Sequence, residues 1–178
     1  AVRVALGAEQ VNVIGGSYGT RAVLDYMRQF PKAVRRAVID GVAPPDMVLP
    51  ASFSTDNQAA LDSLIDACAA DKACAARYPT LRSDWQALLA SLPREVSVAH
   101  PVTGQVESLT LNRFTVLHLM RGPLYVPALA SVLPLAVTEA ARGRFEPLMG
   151  LSTALTGGRP MPMAEGMHFS VVCADDLP

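Results

Sequence analysis

The stretch Val11-Asn12-Val13-Ile14-Gly15-Gly16-Ser17-Tyr18-Gly19, continuing through Thr20 to Phe30 and Pro31, decides how the chain is read. Val11 to Ile14 is a short β-branched run closed by two glycines, the pattern of a strand entering a tight turn. Beyond the turn, Ala22, Val23, Tyr26, Met27 and Phe30 recur at spacings of three and four until Pro31 stops them, which predicts a helix from Thr20 packed by one face. Upstream, Val2, Val4, Ala5 and Leu6 finish an amphipathic stretch that Gly7 ends. Downstream, Arg36-Ala37-Val38-Ile39-Asp40-Gly41 is a second apolar strand. One helix separates it from the first, so parallel pairing through a right-handed crossover is expected.

Gly15-Gly16-Ser17-Tyr18-Gly19 is a G-x-S-x-G sequence set between that strand and that helix, the order a nucleophile elbow requires. In such a turn the serine is held in a strained conformation, and the glycines two before and two after it, Gly15 and Gly19, let strand and helix approach without Cβ clashes. The hydroxyl then stands at the C-terminal edge of the sheet. Ser17 is the candidate nucleophile; it needs a general base, normally a histidine oriented by a carboxylate. The amide of Tyr18 would supply one oxyanion donor at the helix N-terminus, about 3 kcal/mol of transition-state stabilisation where such donors have been removed. The plain alternative is a glycine-rich turn that packs tightly or cradles a phosphate.

The composition narrows the classes of function. Of 178 residues, 51% are apolar, so a full core can be buried and disorder is excluded. Fifteen Lys and Arg face sixteen Asp and Glu, giving a net charge of −1 with no basic block. Nothing there neutralises a phosphate backbone, and a small molecule or peptide is the expected partner rather than nucleic acid. The longest uncharged run, Gly122 to Thr138, contains Pro123, Pro127 and Pro134 and reads as buried globular structure, so no membrane partner is expected. The chain opens at Ala1 inside a helical pattern, without a charged segment leading into an apolar one. It is expected to be part of a longer protein, and the missing signal peptide therefore carries no information.

Past Gly41 the texture changes. Ala43-Pro44-Pro45 and Leu49-Pro50 form an irregular exit, and Thr55-Asp56-Asn57-Gln58 has the Thr-x-x-Gln form of a capping box ahead of Leu61, Leu64, Ile65 and Cys68. Leu81, Trp85, Leu88, Leu89 and Leu92 mark another helix, closed by Pro93. Val96, Val98 and Val102 to Val106 alternate around a glycine, predicting a small hairpin. Leu111 to Gly150 is helical pattern broken by prolines, Thr156 to Pro162 is a loop, and Phe169 to Cys173 reads as a strand-like run. The expected organisation is a partial core over 1–43, a mainly helical insertion over 44–165 and a return to the core over 166–178.

The sequence VNVIGGSYGTRAVLDYMRQFP, followed by RRAVIDGVAPP, resembles the serine aminopeptidase branch of the α/β-hydrolases, which includes proline iminopeptidases and tripeptidyl aminopeptidases. CAADKACAARYP, the helical insertion and the late GMHFSVVCADDLP are similar to the tripeptidyl-aminopeptidase-like members. The resemblance implies a partial α/β-hydrolase core of parallel strands and helices under a helical cap. It also implies release of residues from peptide N-termini through an acyl-enzyme on Ser17, with no cofactor and no metal. A carboxylic ester hydrolase of the same fold and a non-catalytic hydrolase-like binding module are the alternatives.

In that family the acid and the histidine follow the serine, in that order. Both are expected outside these residues, in missing N- and C-terminal parts of the same hydrolase core that also bring the second oxyanion donor. His118 reads as a structural histidine in a helix, and His100 as a solvated one in the hairpin. His168 precedes Asp175 and Asp176, which is the wrong order. Asp40 ends a strand and reads as a turn residue. The resemblance makes Asp175 and Asp176 candidates for holding a substrate's ammonium group; on a strand, at most one would face the pocket. Cys68 and Cys74, six apart, suit neither a CxxC redox motif nor paired zinc ligands. They are either a local disulfide, placing the protein in the periplasm or outside the cell, or two small buried thiols of a cytoplasmic protein. Cys173 is left over.

Overall fold

Two β-branched runs build the first sheet, as the strand β1 (Val11–Gly16) and the strand β2 (Val34–Asp40). In the computed structural model, which describes residues 1–156 and 164–176, these strands pair in parallel from Asn12 opposite Arg36 to Gly16 opposite Asp40, with an irregularity between Val11 and Asn12. The short helix α1 (Val2–Ala5) precedes them and closes at Gly7, whose φ of +63° is a conformation that suits glycine. Between the strands lie helix α2 (Tyr18–Gln29) and a short 3-10 turn, Pro31–Ala33.

Helix α2 begins at Tyr18, two residues before the spacing predicts, because Ser17 already occupies the cap. Its buried residues are Thr20, Arg21 and Val23, whereas Met27 and Phe30, expected on the packed face, are exposed. A two-stranded sheet is too narrow to cover a wider stripe of the helix.

Helix α3 spans Leu49–Ala70 and so runs straight through the capping-box sequence at Thr55. Pro50, taken as part of an irregular exit, lies in its first turn, where a missing N–H has no helical acceptor to disappoint. The chain divides into two compact units, Ala1–Ser52 with Ser170–Pro178 and Phe53–Phe169.

The second unit holds the hydrophobic core. Leu61, Ile65 and Cys68 of α3 and Leu81, Trp85 and Leu88 of α5 (Leu81–Ala90) are buried at the four-then-three spacing of one helix face. Between them α4 (Lys72–Arg77) is capped by Asp71, whose carboxylate accepts from the Cys74 N–H at 2.8 Å. Cys68 and Cys74 form a disulfide with Cα atoms 5.1 Å apart.

The hairpin pairs β3 (Arg94–Ala99) antiparallel with β4 (Val106–Leu111). Val102 belongs to the turn, not to a strand, and Gly104 turns the chain at φ +72°. The proline-broken segment forms α6 (Arg113–Leu124), α7 (Pro127–Ala130), α8 (Leu133–Ala141) and α9 (Glu146–Thr156). Leu111, Val116, Leu133, Phe145 and Leu148 are almost wholly removed from water.

Phe169 to Cys173 is not a strand. These residues belong to α10 (Glu165–Asp175), a short apolar run being readable either way when neither glycine nor proline bounds it. The loop expected over Thr156 to Pro162 falls, past Thr156, outside the described residues. No helix among the described residues is long and apolar enough to cross a membrane.

Candidate active site

The turn from β1 into α2 is built around Ser17, the one described non-glycine residue with positive φ (51°, with ψ −125°). Such a conformation costs a non-glycine residue about 1–3 kcal/mol and persists only where the surroundings over-determine it. The surroundings are visible. The Ser17 N–H donates to the Asp40 carbonyl at 2.9 Å, tying the turn to the end of β2. The Ser17 carbonyl accepts from the Thr20 N–H at 2.9 Å and from the Thr20 hydroxyl at 2.6 Å. That hydroxyl, fully buried, in turn accepts from the Ala43 N–H at 2.9 Å. One threonine thus joins the turn, the helix and the loop beyond β2.

Gly15 closes the turn sterically. A Cβ there would lie 2.7 Å from the Gly19 carbonyl carbon and 2.8 Å from the Val23 side chain, so strand and helix approach only because the residue is glycine. Gly19 faces open space, which corrects the expectation that the glycines two before and two after the serine both relieve a clash: the constraint falls on Gly15, and Gly16 is open as well.

The Ser17 side chain is exposed, and its hydroxyl has no hydrogen-bond partner among the described residues. The Tyr18 N–H lies in the first turn of α2, where backbone donors have no intrahelical acceptor. A strained, exposed serine beside free amide donors can attack a carbonyl and bind the oxyanion that forms, given a base.

No histidine belongs to the unit that carries Ser17. His100 accepts the Val102 and Thr103 N–H groups on Nδ1 at 3.2 Å, so it is engaged in its own turn and not simply solvated. His118 stacks on Phe114 with ring centroids 6.2 Å apart, and His168 lies 5.6 Å from the Phe169 ring. Asp40 is exposed, and its contribution to the turn is its carbonyl.

Asp175 ends α10 and Asp176 follows it, and both reach α2, where consecutive residues of a strand would have pointed apart. The Tyr18 hydroxyl donates to Asp175 Oδ2 at 2.8 Å. This hydrogen bond first, then burial and the carboxylate's charge, push the phenol above its ordinary pKa. Asp176 is not available to an ammonium group, contrary to its candidacy. It is buried against Arg21, whose Nη1 donates to Oδ1 at 2.7 Å, and the Leu49 N–H adds a second contact at 3.3 Å. The guanidinium, then the Leu49 N–H, hold this carboxyl below the usual carboxylate range against the opposing effect of burial.

Asp175 lines two adjoining concavities along α2, of about 340 and 510 Å³. Asp25 shares them, but its carboxylate is occupied by Arg28 at 2.7 Å and Gln29 at 2.5 Å. Thr20 and Arg21 are the contributors that motif reading passes over. Their only signal is polarity just after the elbow, where a helix packed on a sheet should be apolar.

Neither a family model nor a solved structure matches the chain. A stretch of 46 residues is 41% identical to proteins named Serine protease Hip1, from Mycobacterium bovis and Mycobacterium tuberculosis. The stretch amounts to 26% of this chain and to 9% of the length of those relatives.

Proposed function

We propose that the chain carries the nucleophile of a serine hydrolase with an α/β-hydrolase core, acting on peptide N-termini. The observation that carries the reading is Ser17: the only described non-glycine residue at positive φ, exposed, between a parallel strand and a helix N-terminus. The short likeness to serine proteases supports the hydrolase class and leaves the substrate open.

In this reading Ser17 Oγ attacks the scissile carbonyl while a histidine takes its proton, and the Tyr18 N–H binds the oxyanion. The C–N bond breaks, the leaving amine takes the proton from the imidazolium, and water releases the acyl group. The histidine and its carboxylate come from segments of the hydrolase core outside these residues. Asp175, the carboxylate beside Tyr18 that forms no ion pair among the described residues, holds the substrate's ammonium group and so favours free N-termini. In this reading the mainly helical segment 44–165 is the insertion of the hydrolase. The Cys68–Cys74 disulfide supports a periplasmic or extracellular setting.

Labelling of the intact protein with a fluorophosphonate probe tests the nucleophile. The expected result is one label, lost in Ser17→Ala together with at least about 10⁴-fold of turnover. A wild-type protein that takes no label is a binding module instead. Asp175→Asn should raise KM for free-amine peptides about tenfold more than for N-blocked esters. Equal effects would discard the amine subsite and favour an esterase.

A further inference from the structure

Asp175 sits beside Tyr18, and its neighbour Asp176 forms the buried contact with Arg21. The side chains of Arg21 and Asp176 are only 9% and 2% exposed. The guanidinium reaches three parts of the unit at once: Nη1 donates to Asp176, and Nη2 to the carbonyls of Pro44, at 3.2 Å, and Met47. It therefore holds the end of α10 and the loop after β2 to the first turn of α2. Arg21 Nε, also buried, has no partner among the described residues. A buried ion pair that leaves a donor unsatisfied is poorly built for stability, since desolvation offsets much of its attraction. What it does supply is a fixed geometry.

We propose that Arg21 and Asp176 are positioning residues: their ion pair locks the end of α10 against α2 so that Asp175 is delivered to Tyr18, one residue from the nucleophile. The amine-binding role of Asp175 rests on the proposed function above, whereas its delivery to Tyr18 does not. Asp176 lines neither concavity, whereas Arg21 borders both beside Asp175. Asp176 acts through Asp175, and Arg21 through Asp176. Tyr18 is the internal reporter, because its hydroxyl bonds to the residue being delivered and the charged groups acting on it are Asp175, Arg21 and Asp176.

The test follows the Tyr18 ring-carbon resonance of the intact protein labelled with ¹³C-tyrosine, assigned by Tyr18→Phe and titrated through the phenol range. In the wild type the phenol should titrate above its ordinary value, through the hydrogen bond to Asp175 first. Asp175→Asn should bring it back towards that value, and Asp176→Asn should do the same, partly through loss of its own direct charge effect on the phenol, so that Arg21→Lys, which leaves both charges in place, isolates the positioning. Asp176→Glu, which keeps the anion, should restore the wild-type titration at least in part. Arg21→Lys, which keeps the charge and loses the fork, should fall between.

The kinetic counterpart is the ratio of KM for a free-amine peptide to KM for its N-blocked ester. Asp176→Asn should raise that ratio at least about fivefold, and the double variant with Asp175→Asn should raise it no further than Asp175→Asn alone. A folded Asp176→Asn protein with the wild-type Tyr18 titration would overturn the proposal. So would an Asp176→Glu protein that is folded yet resembles Asp176→Asn. If Asp176→Asn does not fold, Arg21→Lys and Asp176→Glu carry the test, and wild-type titration in Arg21→Lys overturns the role of the fork. A shifted phenol in a protein that takes no fluorophosphonate label would keep the positioning and discard the hydrolase.

Discussion

In the unit Phe53–Phe169 the side chains taken out of water are apolar from Leu61 to Leu151, with Thr138 the polar exception among the described residues. In the unit that carries Ser17 they are Thr20, Arg21, Val23, Ala33, Ala43 and Asp176, half of them polar or charged. The same unit leaves Leu6, Ile14 and Val38 at 74, 81 and 57% exposure. Burial of apolar surface is non-directional and supplies stability by area. Hydrogen bonds supply less net stability but fix atoms within tenths of an ångström. One unit is thus built to stay folded, and the other to hold a strained serine and its neighbours in place.

The largest effect that probes this contrast is on the apolar side. Phe145 is 1% exposed at the centre of the core, and Phe145→Ala should cost about 3–5 kcal/mol in urea unfolding followed by the fluorescence of Trp85, the chain's single tryptophan. A cost under about 1 kcal/mol would mean that the core is not close-packed there. Gly15→Ala tests the other side. The added methyl meets Gly19 backbone and Val23, and overpacking of this kind costs about 1–3 kcal/mol. It should abolish fluorophosphonate labelling while leaving the Trp85 transition where it was. Gly19→Ala, facing open space, should retain label. Equal loss in the two would break the assignment of the constraint to Gly15.

A smaller effect is read in acid. The Asp176 carboxyl is depressed by Arg21, so its contribution is full above the unfolded carboxylate range near 4 and is lost as pH falls through the lower folded value. Asp62 and Glu139 of the other unit shift in the same sense. The first is held by Gln58 and then Arg82, the second by Arg144, and their carboxylate side chains are 40 and 19% exposed against 2% for Asp176. At 1 M salt the Debye length is about 3 Å, which screens exposed pairs and spares a buried one. Acid sensitivity in 1 M NaCl should therefore persist in the Tyr18 resonance and fade in Trp85 fluorescence. Equal fading would show that the Arg21–Asp176 pair is open to water.

The elbow was legible because its meaning is local: strand, G-x-S-x-G and helix are consecutive in the chain, and each element speaks through its own periodicity. The cores of α3 and α5 were legible for the same reason. Two things were not. Phe169 to Cys173 carries no glycine or proline to limit it, and an apolar run of that length fits a helix end as well as a strand. The pairing of Arg21 with Asp176 spans 155 positions, and nothing in either residue's neighbours announces the other. Reading Asp176 as an accessible anion failed there, since only the fold decides whether a carboxylate meets solvent or a guanidinium.

The last and smallest effect bears on the exposed face of the first sheet. Parallel strands are normally covered on both faces, yet Ile14 and Val38 occupy neighbouring, register-matched positions in the open. In residues 1–178 taken alone, Ile14→Thr should change unfolding free energy by less than about 0.5 kcal/mol, as substitutions at exposed positions do. Threonine keeps the β-branched backbone preference while removing apolar surface, so light scattering at a given concentration should fall. The same substitution in a longer protein that completes the core should instead cost about 1–3 kcal/mol, the loss of a buried side chain's transfer energy together with an unpaired hydroxyl. A small cost in both settings would mean that this face is water-facing by design, and the hydrolase core proposed around it would have to be given up.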